Sequence, residues 1–194
     1  MDASVIAAIA KWPNVPAVFG WLSLTARGEW RLRGEPIRNA AICAFIGRNY
    51  AADERGRWYF QNGPQRVYVE LESTPWIWRV DPYDAGGGLV AHTGKPVRRL
   101  EGAGFDEEGR CYLATELGIG LVESGSMERV YESLRTADAE VPTDDAVADW
   151  LAGAPSRLRL AREALRFAGT VAVERLRAEE LPRRFGFVRI PAPD

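Results

Sequence analysis

The sequence has very few of the side chains that carry most enzyme chemistry. A single histidine, His92, leaves little scope for the usual general acid–base catalysis near neutral pH. No Gly-x-Ser-x-Gly motif is present to expose a nucleophilic serine. The two cysteines, Cys43 and Cys111, are far apart and have apolar or aromatic neighbours, so we expect buried free thiols rather than a disulfide or a metal site. These shortages predict no catalytic residue, no metal and no cofactor, and they favour a protein that is not an enzyme.

Long apolar runs are also missing. A membrane helix needs about 18–20 consecutive apolar residues, whereas the longest candidate covers only residues 5–10. No basic region precedes that run, so it does not resemble a signal peptide either. We therefore expect a cytoplasmic protein with no membrane partner, present as a monomer or a homodimer.

The chain has no large excess of positive or negative charge, since its net charge is −2. The whole chain is therefore not expected to bind nucleic acid. The charges are unevenly distributed, since residues 151–194 contain nine arginines and five acidic residues. Arg157, Arg159, Arg162 and Arg166 fall on a helix predicted at residues 156–168. A solvated helix face explains them, and the alternative is contact with a phosphate of a ligand or nucleic acid.

The sequence does contain enough apolar residues for a core. Its hydrophobic content is 46%, and 194 residues suit one domain or two small ones. The patterning predicts an α+β fold with antiparallel β-hairpins, packed helices and further helices near the C-terminus. We divide it into an N-terminal α+β unit over residues 1–82 and a second β-rich unit over residues 83–194, which together form either two domains or one compact domain.

The individual elements follow from periodicity and from turn residues. Helices are predicted at residues 3–11, 35–48, 126–134, 144–152 and 156–168. Strands are predicted at residues 18–24, 29–33, 57–61, 66–72, 76–80, 89–93, 97–100, 110–115, 120–123 and 170–177, with a short strand within 182–190 and a loop at 84–88.

A weak repeat recurs three times along the chain. Thr25, Asp53 and Asp106 each stand three residues before a glycine, and a strand that carries an aromatic side chain follows each time. A polar residue that opens a turn, followed by glycine at a left-handed position, explains the pattern. We interpret it as the duplication of a hairpin-plus-helix unit.

Three short segments resemble a known family. They are residues 56–60 (GRWYF), 66–72 (RVYVELE) and 74–76 (TPW), and the stretch at 30–37 fits the start of the same pattern. They are similar to a proteobacterial family of unknown function that has a duplicated α+β core and a C-terminal part superficially like pleckstrin-homology folds. The resemblance implies that fold and a small, nucleotide-like ligand between the repeats, in signal transduction.

Aromatic residues supply the candidate site. The chain has seven tryptophans, and Trp58, Trp76 and Trp78 fall on predicted strands of one region. Core filling is one interpretation, and the other is a pocket wall on which a flat, anionic ligand stacks. The candidate ligand-binding residues are Trp58, Asn62, Arg66, Tyr68, Trp78 and His92, with Gln61 as a further polar contact. They would line a cleft between the hairpin units.

Two other function classes remain open. An enzyme could use carboxylates and arginines, which requires Glu70, Glu72 or His92 to face a concave pocket. A protein-interaction module is the other alternative. A phosphate loop is excluded at residues 86–96, because the glycine spacing is wrong and Pro96 follows Lys95 where Ser or Thr is needed. The favoured function is a non-enzymatic, regulatory domain that binds a small ligand.

Overall fold

The structure, a computed structural model, describes residues 1–80 and 88–193. It divides into two units. Unit 1 comprises Met1–Pro75, His92–Gly94 and Pro182–Asp194, and unit 2 comprises Trp76–Ala91 and Lys95–Leu181. The boundary predicted at residue 82 and the loop predicted at 84–88, apart from Gly88, lie outside the described residues. None of the described helices has the length and hydropathy that a bilayer crossing requires.

Unit 1 is built on a six-stranded sheet. Its strands are β1 (Val18–Leu24), β2 (Trp30–Leu32), β3 (Glu35–Pro36), β4 (Tyr50–Ala52), β5 (Trp58–Asn62) and β6 (Gln65–Leu71). Its helices are α1 (Ala3–Lys11) and α2 (Ala40–Arg48), and α5 (Leu181–Phe185) lies almost entirely in this unit. The strand order is β3-β2-β1-β6-β5-β4, in which β1 and β6 are parallel and the other neighbours are antiparallel.

Unit 2 is built on an eight-stranded sheet. Its strands are β7 (Trp76–Val80), β8 (Leu89–Ala91), β9 (Leu100–Phe105), β10 (Cys111–Thr115), β11 (Gly118–Val122), β12 (Leu134–Arg135), β13 (Arg159–Ala161) and β14 (Thr170–Arg175). Its α-helices are α3 (Met127–Glu132) and α4 (Asp144–Leu151). The order is β12-β13-β14-β9-β10-β11-β7-β8, with β14 parallel to β9 and β11 parallel to β7. The predicted α+β class, with mostly antiparallel strands and helices that include C-terminal ones, is confirmed.

The two sheets share one arrangement of five strands. In unit 1 the antiparallel meander β4-β5-β6 continues to β1, which is parallel to β6 and antiparallel to β2. In unit 2 the meander β9-β10-β11 continues to β7, which is parallel to β11 and antiparallel to β8. Strand order and strand direction are therefore the same in both sets of five.

The core of unit 1 includes Tyr68, which lies on the face of β6 opposite to its alternating Val and Leu residues. Val69 and Leu71 on β6 are buried, as the alternating pattern predicts. Tyr68 points to the other face and is buried as well, because its ring stacks on Phe19 with centroids 4.5 Å apart and an interplanar angle of 8°. The middle of β6 is therefore covered on both faces.

Helix α2 begins later than the sequence predicted. The helix was expected to open at residue 35, but Glu35 and Pro36 form β3 and pair with β2 at the edge of the sheet, where proline is tolerated. The helix begins at Ala40, because the Asn39 side chain accepts hydrogen bonds from the backbone N–H groups of Ala41 and Ile42 (3.0 and 3.2 Å). Asn39 is thus the N-cap.

Two predictions near the C-terminus are wrong. The helix predicted at residues 156–168 is instead β13 followed by a 3₁₀ turn at Arg162–Leu165. Leu158 and Leu160 are buried, while Arg157 and Arg159, which alternate with them, are exposed, and this period of two belongs to a strand. The strand predicted within 182–190 is reduced to one parallel β-bridge between Val188 and Arg57, and α5 brings the basic residues Arg183 and Arg184 into a helix.

Candidate functional site

Three turns at the repeated positions use the same hydrogen bonds. The side-chain oxygen of Thr25 accepts from the N–H groups of residues 27 and 29 (3.3 and 3.1 Å). Oδ1 of Asp53 accepts from residues 55 and 57 (3.0 and 2.9 Å), and Oδ1 of Asp106 accepts from residues 108 and 110 (3.0 and 2.9 Å). The glycine that follows each of them has a positive φ, between 74° and 77°, which glycine adopts without strain.

The second oxygen of each aspartate is also occupied. Oδ2 of Asp53 accepts from Arg57 Nε (2.8 Å) and from the Tyr68 hydroxyl (3.0 Å). Burial raises the pKa of Asp53, but the hydrogen bonds from Arg57, Tyr68 and the turn outweigh it and hold that pKa below its ordinary value. In unit 2, Asp106 is bound in the same way by Arg110 and Tyr112 (2.6 and 2.9 Å). Both carboxylates therefore serve the fold and have no lone pair aimed at a substrate.

Trp58 and His92 both contact one buried tyrosine in unit 1, Tyr50. The Trp58 ring is half-buried, and its centroid is 4.7 Å from that of Tyr50. His92 lies in a turn after β8 rather than on a strand, with its ring edge-on to Tyr50 (5.8 Å) and to Trp30 (5.2 Å). Burial raises the pKa of Tyr50 well above its ordinary value, and its hydroxyl donates to the Pro75 carbonyl (3.1 Å).

Arg66 and Tyr68 are brought together through a third residue. The guanidinium of exposed Arg66 lies 4.7 Å above the ring of Tyr59, and Tyr59 in turn meets Tyr68 edge-on at 5.9 Å. Asn62 is exposed at the end of β5, where it pairs with Gln65. Gln61 is buried and donates from Nε2 to the Gly63 carbonyl (2.9 Å), so its amide nitrogen is engaged with the turn.

Trp78 belongs to the core of unit 2. Its exposed fraction is 0%, its ring stacks on Trp76 at 5.9 Å, and its Nε1 donates to the Leu113 carbonyl (2.9 Å). No part of the ring is open to a stacking ligand. We therefore leave Trp78 out of the binding proposal below, and Trp58, Asn62, Arg66, Tyr68 and His92 stay predictions.

The two glutamates considered for enzyme chemistry differ in exposure. Glu72 is exposed, and its Oε2 accepts from the Ala26 N–H (2.8 Å). Glu70 is half-buried on β6. Within residues 1–80 and 88–193, no group of three or more His, Cys, Asp and Glu side chains could hold a metal ion.

The two thiols differ in environment, contrary to the prediction that both are buried. Cys43 is only half-buried and donates from Sγ to the Ile37 carbonyl (3.2 Å). Cys111 is fully buried on β10, and burial together with the negative charge of Asp106 raises the pKa of its thiol. Helix α2 leaves Cys43 partly exposed because its N-terminal half buries little of its surface.

A cavity of about 300 Å³ lies within unit 2. Its lining includes the apolar side chains of Trp150, Leu158 and Val173, together with Arg157 and Arg159. Among its eight lining residues there is no acidic side chain. The site therefore combines an apolar lining with positive charge, which suits a small anionic molecule.

Strand pairing and one helix build this cavity. β13 and β14 pair antiparallel with Arg159 opposite Ala172, and the Val173 N–H donates to the Leu158 carbonyl (3.0 Å). Helix α4 contributes Trp150, which is packed edge-on against Phe105 at 6.3 Å. The Arg175 guanidinium lies 5.1 Å above the Trp150 ring. It also donates a hydrogen bond to the Ala154 carbonyl, which links β14 to the segment between α4 and β13.

The two arginines that line the cavity are held differently. Arg159 donates from Nε and Nη2 to the Thr170 hydroxyl (3.0 and 2.7 Å). Arg157, by contrast, makes no side-chain hydrogen bond or ion pair with any part of the chain that the structure describes. Its five N–H donors are therefore available to a ligand.

Sequence reasoning missed this cavity, although a signal for it was present. The letters S-R-L-R-L at residues 156–160 alternate polar and apolar side chains, which places Arg157 and Arg159 on one face of an extended segment. At helical spacing the same arginines were expected to spread around a helix. In the extended segment both arginines line the cavity, together with Ser156 and Leu158.

Comparison with known proteins gives a family and a fold. Residues 1–192 match the sequence profile of the DUF2944 family, described as "Protein of unknown function (DUF2946)". No curated protein matches the chain. A crystal structure of a DUF1285 family protein from Silicibacter pomeroyi DSS-3 is similar, with 17% identity and a TM-score of 0.52 over 94% of this chain and 100% of that chain. The predicted resemblance to a family of unknown function is confirmed at that level, and the structural likeness shows the fold alone.

Proposed function

We propose that this chain, which belongs to the DUF2944 family of proteins of unknown function, is a non-enzymatic domain that binds a small anionic ligand in a regulatory role. The single observation that carries the proposal is the cavity of about 300 Å³ in unit 2. Its volume is at the lower end of the range of roughly 300–1,000 Å³ for small-molecule sites. Arg157 supplies unengaged donors there, and Arg159 supplies a second positive charge.

The aromatic cluster of unit 1 is the second candidate location. Trp58 is half-buried and Arg66 is exposed, so both retain surface that a ligand could touch. The cluster ranks below the cavity because Tyr68 is already enclosed by Phe19 (4.5 Å) and the Arg57 guanidinium (4.9 Å). Asn62 lies at the exposed end of β5, where its backbone pairs with Gln65 at the turn into β6.

A thermal-shift screen against small anionic metabolites tests the proposal. A ligand at 100 times its dissociation constant stabilises the folded state by about 2.7 kcal/mol, which raises the melting temperature by several degrees. Ser156→Phe fills the cavity and should abolish the shift, because Ser156 lines it. Within residues 1–80 and 88–193 the Ser156 hydroxyl makes no hydrogen bond that the substitution would remove. Ser124→Phe is the matched control, since Ser124 is an exposed serine of unit 2 outside the lining.

The outcomes separate the candidate locations. Loss of the shift in Ser156→Phe but not in Ser124→Phe supports the cavity. A shift that survives Ser156→Phe and disappears in Trp58→Ala or Arg66→Ala moves the site to unit 1. A flat response across the library contradicts ligand binding and favours the protein-interaction alternative.

We also propose that the two units derive from the duplication of one hairpin-containing unit. The shared order and direction of five strands supports this, as do the turns D-E-R-G-R at 53–57 and D-E-E-G-R at 106–110, which differ in one letter. Each turn joins the first two strands of its meander, between β4 and β5 and between β9 and β10. An experimental structure of a family member in which one unit lacks the five-strand order would contradict the duplication.

A further inference from the structure

We infer that the ligand of the unit 2 cavity is a small carboxylic acid with a compact hydrocarbon body, and not a nucleotide or inorganic phosphate. This inference rests on the proposed function, since it names the ligand class for the same site. It follows from four features of the lining: one unengaged arginine, one restrained arginine, an apolar lining, and an aromatic ring with no free face.

Arg157 provides the anion contact. Its guanidinium has five donors in a planar fork that matches the two oxygens of a carboxylate. None of these donors is used by the part of the chain that the structure describes. One free fork satisfies one carboxylate with two parallel hydrogen bonds, whereas a phosphate dianion has further oxygens that need donors from elsewhere.

Arg159 contributes charge more than hydrogen bonds. Two of its nitrogens already donate to the Thr170 hydroxyl (3.0 and 2.7 Å), which fixes the side chain along β14. The eight lining residues offer no carboxylate to oppose the two positive charges. The cavity therefore attracts an anion, and the apolar residues beside the two arginines favour one whose charge is joined to a hydrocarbon body.

The rest of the lining suits a hydrocarbon. Leu158 and Val173 are core residues with 4% and 8% exposure, and the alanines at 137 and 172 add only methyl groups to the lining. Burial of apolar ligand surface against such residues is favourable in proportion to its area. A ribose would lose the hydration of its hydroxyl groups against these apolar side chains.

Trp150 offers no platform for a nucleobase. Its exposed fraction is 3%, the Arg175 guanidinium covers the ring at 5.1 Å, and Phe105 packs edge-on at 6.3 Å. Proteins that hold bases commonly stack them on open aromatic faces. A ring enclosed in this way leaves no open face on which a base could stack.

Isothermal titration with defined probes tests the inference on the full chain. The probes are benzoate and hexanoate as carboxylates, inorganic phosphate, and adenosine monophosphate. We expect saturable binding of at least one carboxylate, with phosphate and adenosine monophosphate at least tenfold weaker. Arg157→Gln should weaken the carboxylate at least tenfold, and Arg157→Lys should weaken it nearly as much, because an ammonium cannot form the paired contact.

Arg129→Gln is the matched control. Arg129 is an exposed arginine on α3 of unit 2 that does not line the cavity, so its loss removes the same charge and should leave binding unchanged. Unfolding curves of all variants show whether each remains folded. Equal loss in Arg129→Gln and Arg157→Gln would overturn the inference, because it would indicate attraction by net charge alone.

Failure of the inference is distinguishable from failure of the proposed function. Tight binding of phosphate or adenosine monophosphate at the Ser156→Phe-sensitive site overturns the carboxylate inference and leaves the ligand-binding proposal intact. Carboxylate binding that is insensitive to Arg157→Gln also overturns the inference. The absence of any binder in both the metabolite screen and these titrations overturns both.

Discussion

At the scale of single residues, Asp53 shows how one carboxylate can stabilise a turn. Its Oδ1 atom accepts two backbone N–H groups, and its Oδ2 atom accepts Arg57 and Tyr68. Four hydrogen bonds to one charged group explain why the pKa of Asp53 stays below its ordinary value despite burial. A lowered pKa in the folded state makes the ionised carboxylate a source of stability at neutral pH.

We predict a specific pH dependence for Asp53→Asn. The pKa of Asp53 is lower in the folded than in the unfolded chain. The ionised carboxylate therefore makes its full contribution to the free energy of unfolding above the ordinary pKa of 3.8, and this contribution disappears as the pH falls through the lower pKa of the folded state. The variant should lose about 1.5–3 kcal/mol of unfolding free energy at pH 7, and the difference from wild type should shrink below about pH 4. Urea unfolding at several pH values measures this.

The control for this experiment is Asp138→Asn. Asp138 is an exposed aspartate, and its replacement should change stability by less than about 0.5 kcal/mol at every pH. A loss in Asp53→Asn that stays constant from pH 7 to pH 3 would contradict the ionic account of the turn.

At the scale of elements, the periodic segments were the ones that could be predicted. Helix α1 and strand β1 have the predicted bounds, because an apolar face at helical spacing and a strand of mainly apolar residues each dominate their segment and prolines separate them. Strand β4 was missed, since Tyr50–Ala52 is three residues long and follows α2 after one residue. Strand β9 was expected at 97–100 but runs over Leu100–Phe105, where glycines at 102 and 104 lower strand propensity.

The glycines of β9 have different roles, which a pair of variants can test. A Cβ at Gly104 would lie 2.6 Å from Leu176 Cδ1 and 2.8 Å from the Glu174 carbonyl oxygen, whereas a Cβ at Gly102 would meet only Ala114 Cβ at 3.5 Å. Gly104→Ala should destabilise by about 1–3 kcal/mol through overpacking. Gly102→Ala should leave the free energy of unfolding unchanged or raise it by about 0.4–1 kcal/mol, because alanine lowers the conformational entropy of the unfolded chain.

Chemical denaturation of the two variants side by side is the measurement. Both substitutions add one methyl group to the same strand, so differences in strand propensity cancel between them. Equal effects on the unfolding free energy would contradict the close packing of Leu176 and the β14 backbone against Gly104.

At the scale of the whole molecule, the fold class could be predicted from the sequence, but the set of side chains that meet at the candidate site could not. Aromatic hairpins and apolar alternation predicted an α+β fold with antiparallel hairpins and packed helices, and the sheets and helices of the structure confirm that class. The candidate site depended on which residues of distant elements meet. Trp78 is enclosed by the core of unit 2, while Trp150 on α4 and the strand pair β13–β14 come together around a cavity that local sequence does not reveal.

The central claim is that unit 2 binds a small anion at Arg157, and backbone amide chemical shifts test it most directly. Nitrogen-15-labelled protein titrated with benzoate should show its largest, saturable shifts at residues 157–159 and 172–173, with little change at 58–68 and 92. Because the chemical shift reports on the local environment of each amide, this maps the site without any substitution. Saturable shifts that centre on 58–68 and 92, with residues 157–159 unchanged, would contradict the account.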